Sequence, residues 1–95
     1  MELNSELDKL RKYSEIENEL NRAKKLHPAY PNNIFAQSSI MMEEAGEVAK
    51  AVNDFVWKSG NKIALLMDVR SELIQTAAMC MRMIESLDEK LNEHD

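Results

Sequence analysis

Apolar residues recur every three or four positions along almost the whole chain, which is the period of an amphipathic α-helix and not the strict alternation of a half-buried strand. From Leu3 to Leu26 the stripe is Leu7, Leu10, Tyr13, Ile16, Leu20 and Ala23. Inside it Ser14 and Glu17 form an S-x-x-E capping box. That box predicts a main first helix starting at Ser14, with residues 1–13 a separate short helix or an extension. The connector LHPAYPNN follows, where each proline biases the residue before it away from the α region and Asn32 or Asn33 can cap what comes next. A second helix is expected from about Asn33 to Trp57 or Lys58, with Ile34, Met41, Ala45, Val48, Val52 and Phe55 on its core face. Ser59-Gly60-Asn61 breaks the pattern, Gly60 supplying a left-handed cap and Asn61 starting a third helix that runs from about Lys62 to Leu91. So short a turn makes the second and third helices antiparallel neighbours.

The third helix carries Leu66, Val69, Leu73, Ala77, Cys80, Ile84 and Leu87 on one face, yet Ile74, Ala78, Met79, Met81 and Met83 are apolar on others. A helix that is apolar all round is buried all round, and chains of this size hide only about two-thirds of their unfolded surface. A homodimer or homotetramer is therefore expected, its interface including the third helix around Ala78, Met79, Met81 and Met83.

Composition narrows the class. The 95 residues contain two Gly, two Pro and 5% aromatic residues, leaving little material for strands and pointing to one all-α domain, an antiparallel helical bundle completed by oligomerisation. A net charge of −5 offers no basic stripe for a nucleic-acid backbone. There is no apolar run long enough for a membrane span, and MELNSELDK has neither the basic nor the apolar region of a signal peptide, so a cytoplasmic protein with no membrane partner is expected. Cys80 is the single cysteine, which excludes an internal disulfide, and its neighbours Met79 and Met81 suggest a buried thiol.

Against this apolar background the acids of IMMEEAGEVAKAVND, residues 40–54, are out of place. Glu43, Glu44 and Glu47 fall within about one turn of a single helix, and Glu44 projects only about 60° from the centre of the apolar stripe. Like charges this close repel unless a cation sits between them. Counted from Gly60, Glu47 is level with Glu72 across the hairpin and Glu44 is level with Gln75 or Thr76, to about one residue's rise. Asp68, Glu72 and Gln75 share a face at i, i+4 and i+7. Oxygen donors without His or Cys suit a hard cation, Mg²⁺ or Mn²⁺ rather than Zn²⁺. Magnesium held by few protein ligands completes its shell with water and substrate phosphates, which points to a polyphosphate substrate.

Glu43-Glu44-x-x-Glu47 followed after a gap by Glu72-x-x-Gln75 resembles the E-E-x-x-E…E-x-x-D signature of the MazG-like all-α nucleoside-triphosphate pyrophosphohydrolases. The likeness extends from about Tyr13 to Leu87 and includes HPAYPNN, EEAGEVAKAVND and SELIQTAAM. It implies a helical dimer or tetramer that uses Mg²⁺ to hydrolyse nucleoside or deoxynucleoside triphosphates to monophosphate and pyrophosphate, in nucleotide-pool house-cleaning. Under that resemblance Glu44, Glu47 and Glu72 hold metal, and Glu43 orients the attacking water or ligates directly. Gln75 departs from the signature: its amide oxygen can ligate a hard cation but brings no charge, and Asp68, one turn before Glu72, is a candidate to supply it. Lys50, Lys58 and Lys62 are candidate phosphate contacts. Trp57, Tyr30, His27 and Phe35 are candidate base contacts, although Trp57 and Phe35 also read as packing residues. Two other readings stay open, a noncatalytic nucleotide- or metal-binding helical module, supported by Gln75, and a purely structural oligomeric bundle.

Overall fold

A computed structural model describes residues 2–94, with side chains from residue 4 onward. Three helices account for nearly all of it: α1 (Glu2–Leu26), α2 (Ile34–Trp57) and α3 (Lys62–Glu93). There is no strand among the described residues, and none of their helices is long and apolar enough to cross a membrane.

The boundaries between α1, α2 and α3 fall where the cap chemistry puts them. The Asn33 side chain accepts hydrogen bonds from the backbone N–H groups of Phe35 (2.8 Å) and Ala36 (3.2 Å), and Asn61 does the same for Ile63 and Ala64. Gly60 has φ 122°, a conformation open to glycine and costly for any other residue, which sets the reversal between α2 and α3. The Lys62 ammonium donates to the carbonyl of Lys58 (2.8 Å) and to that of Phe55, so it satisfies acceptors that the end of α2 leaves unpaired.

The expected break at Ser14 is absent: α1 runs unbroken through it. Ser14 is exposed in mid-helix, no Gly or Pro interrupts the segment, and i,i+3 pairs such as Glu6–Lys9 and Asp8–Arg11 lie along it. Residues 4–14 are exposed throughout, and only the later turns of α1, at Leu20 and Ala23, are buried.

The helix α1 packs on α3 and not on α2. Arg70 donates to both carboxylate oxygens of Glu15, and Lys24 lies 2.8 Å from Glu85. The connector between α1 and α2 is fastened to α3 by side chains. Arg82 donates to the carbonyl of His27 (2.8 Å), Lys90 to that of Asn32 (2.6 Å), and the fully buried Gln37 amide to the carbonyl of Pro31 and the hydroxyl of Ser86 (2.8 Å each).

The burial pattern corrects the expected core. On α3, Leu66, Leu73 and Ile84 are half exposed, whereas Glu72 and Gln75 are among its partly buried residues. On α2, Met41, Ala45, Val48 and Phe55 are partly buried as expected, whereas Ile34 and Val52 are exposed and the buried positions are Gln37 and Ala51, with Glu44 partly buried between them. The physical reason is that a hairpin with α1 on one side has only two of α3's three faces to cover, faces roughly 120° apart at 100° per residue. Trp57 (81% exposed) and Phe35 (80%) are not packing residues of this chain. Ala78, fully buried within the chain, is unavailable to a subunit interface, while Met79 is partly buried and lines a cleft. Cys80 is only partly buried.

Candidate functional site

The hairpin register distributes the predicted acids over two adjoining depressions. Glu43, Glu44 and Gln75 line a cleft of about 410 Å³, together with residues of α1 and the connector. Glu47, Glu72, Asp68 and Lys50 line a depression of about 190 Å³ with Asp54 and Ser71. Thus Glu44 shares its cavity with Gln75, and Glu47 shares its own with Glu72, as levels counted from Gly60 require.

Glu44 lines the first of the two. It lies seven residues from both Gln37 and Ala51, the buried positions of α2, so it sits on the buried line of that helix rather than at the edge. Burial raises its carboxyl above the usual range, and the negative charges of Glu72, Glu43, Glu47 and Glu19 raise it further. No cationic side chain forms an ion pair with Glu43, Glu44, Glu47 or Glu72 among the described residues. The nearest candidate from α1, Arg22, is held by Glu19 at 2.7 Å.

The other predicted contacts lie near the end of α2. Lys58 pairs with Asp54 (3.5 Å), Lys62 caps α2 and lies 5.3 Å from the Phe55 ring centre, and Trp57 stands exposed at the end of α2. The amide of Gln75 reaches the Ser71 hydroxyl only at 3.4 Å, a long contact that leaves the group adjustable.

Among the described residues no three His, Cys, Asp or Glu side chains converge closely enough to hold a metal ion. The donor set nonetheless fits a hard cation: its atoms are all oxygen, and the partly buried Glu44 carboxyl feels four neighbouring acids and forms no ion pair among the described residues.

Four charged residues of these cavities escape the sequence reading. Asp54 had a signal, since it follows Glu47 by seven positions and Lys50 by four on one face. Glu19, Arg22 and Arg82 had none, because their place depends on how α1 and the connector dock on α3.

The Glu44 environment fixes a pH dependence. A carboxyl raised on folding takes up a proton as the chain folds, so its contribution to stability is lost as pH rises from the unfolded value through the raised one, and the cost is complete above it. Glu44→Gln should therefore melt at a higher temperature than the natural protein at pH 7 in the presence of a chelator. The gap should close toward about pH 4, where the unfolded-state carboxyl is protonated as well. A lower melting temperature for the variant at pH 7 would show that the charge is neutralised within the chain.

Comparison of the chain with protein-family models, with curated proteins and with solved structures finds no match.

Proposed function

We propose that the chain is a Mg²⁺-dependent nucleoside-triphosphate pyrophosphohydrolase of the MazG-like type, with Mn²⁺ as a possible substitute. The observation that carries this reading is the partly buried Glu44 carboxyl among Glu43, Glu47 and Glu72, open to a cleft and without an ion pair among the described residues. An acidic cluster in such a place is costly unless a cation belongs there. Glu44, Glu47 and Glu72 are the charged ligands, with Gln75 and Asp68 as further oxygen donors from α3. A hard cation bound there would supply charge neutralisation for substrate phosphates and polarisation of the phosphorus centre under attack. Glu43, on the cleft rim, orients and deprotonates the attacking water. Lys50, which shares its depression with Glu47 and Glu72, is the first candidate for a phosphate contact, with Lys58, paired to Asp54 of that depression, and Lys62 as further candidates.

Oligomerisation belongs to the same proposal. Leu66, Leu73, Ile84 and Leu91 leave an apolar stripe on α3, and in projection the antiparallel α2 adds Ile34, Val52 and Val56 on that side of the hairpin, away from α1. A homodimer, or a homotetramer built from it, covers this face with a second copy.

Gln75 favours one competing reading, a binding module that holds metal and nucleotide without turning it over. A panel of ribo- and deoxyribonucleoside triphosphates with Mg²⁺, each repeated with chelator, decides between them. Chelator-sensitive turnover supports the hydrolase; metal-dependent binding without turnover supports the module.

A further inference from the structure

Arg82 is the one buried charged side chain of the core, 8% exposed, and it has no carboxylate partner among the described residues. Its guanidinium donates to the carbonyl of His27 at 2.8 Å and stacks on the Tyr30 ring, 4.5 Å from the ring centre. Both partners belong to the connector between α1 and α2, which has no regular structure of its own to hold it. Arg82, His27 and Tyr30 all line the cleft that also contains Glu43, Glu44 and Gln75.

Arg82 follows Gln75 by seven residues on α3, which separates the two levels by about 10 Å along the helix axis. One end of the cleft is thus acidic. The other is walled by Tyr30, His27, Leu26 and Ala29, an aromatic and apolar surface with a planar cation behind it. A ligand anchored at the acids by its phosphates would lay its uncharged part on that wall, and a span of this length accommodates a nucleoside.

Resting on the pyrophosphohydrolase reading, we infer that Arg82 is a positioning residue that holds Tyr30 and His27 as the nucleoside-recognising wall of the cleft. Burial of a guanidinium is unfavourable without compensating contacts, and here one donor and the ring contact hold a loop rather than neutralise an acid. The planar fork can donate to a carbonyl while its face stacks flat on an aromatic ring; a lysine ammonium brings the charge without the flat face.

The test uses Arg82→Met, Arg82→Lys and Tyr30→Leu, each checked for helicity. It measures kcat and KM for the preferred nucleoside triphosphate with Mg²⁺, and inhibition by inorganic tripolyphosphate, which has phosphates but no nucleoside. Loss of the wall should raise KM about tenfold in Arg82→Met and in Tyr30→Leu, with the smaller rise in Arg82→Lys and the effect falling on KM rather than kcat. Tripolyphosphate inhibition should stay as in the natural protein. An unchanged KM in Tyr30→Leu, which leaves Arg82 in place, overturns the inference; so does tripolyphosphate inhibition that weakens in parallel with KM, the mark of a general loosening. A natural protein that turns over no nucleoside triphosphate overturns the underlying hydrolase reading and this inference with it, an outcome visible before any variant is made.

Discussion

Glu72→Gln should lower turnover about a hundredfold or more while leaving the helical content unchanged, and Glu47→Gln should do the same. Each change removes one negative charge from the depression that Glu47 and Glu72 share, and neither side chain makes an ion pair whose loss would loosen the apo fold. Glu72 is also the strongest charged neighbour acting on Glu44, so its neutralisation should relieve the apo protein of repulsion. The combination is diagnostic: activity falls, and chelated protein melts no lower than before. Circular dichroism with a pyrophosphate-release assay checks it, and near-normal turnover in both variants would remove these residues from the site.

A second large effect is expected at the uncovered face. Leu73→Asp or Ile84→Asp should convert the oligomer to a monomer, because each places an unpaired carboxylate in the interface and the symmetry of a dimer repeats it. Those residues are 51% and 55% exposed in the single chain, so the substitution does little to the monomer itself. A penalty of about 4 kcal/mol corresponds to roughly a thousandfold weaker association. Light scattering measures this directly. A natural protein that is monomeric at micromolar concentration would falsify the interface.

The exposed stripe also explains where the sequence was readable. Asn33, Gly60 and Asn61 carry their signals locally, in a side chain that caps or a backbone that turns, so the limits of α2 and the start of α3 could be placed from three residues. The levels of Glu47 with Glu72 and of Glu44 with Gln75 follow from the same turn, since an antiparallel hairpin has one free parameter and Gly60 sets it. Periodicity, by contrast, marks every face that avoids water without saying what covers it. Leu66, Leu73 and Ile84 are as apolar as a core face, yet within one chain that role passes to the side of α3 bearing Glu72 and Gln75. Long-range docking left no trace at all. Arg82 and His27 are 55 residues apart, and nothing in either's neighbourhood announces the hydrogen bond that shapes the cleft.

The Ser14 box shows the opposite failure, a local signal that tertiary context ignores. Ser14 and Glu17 have the right spacing for a helix start, but helix-forming residues on both sides and an unbroken run of exposed turns let α1 pass through.

The acids about Glu44 are proposed to serve cleavage between the α and β phosphates of a nucleoside triphosphate. Phosphorus NMR of the natural protein with Mg²⁺ and its preferred triphosphate follows the bond itself. The predicted result is nucleoside monophosphate and pyrophosphate accumulating in equal amounts, abolished by chelator and by Glu72→Gln. Diphosphate with orthophosphate, or an unchanged triphosphate spectrum across the whole panel, would contradict it.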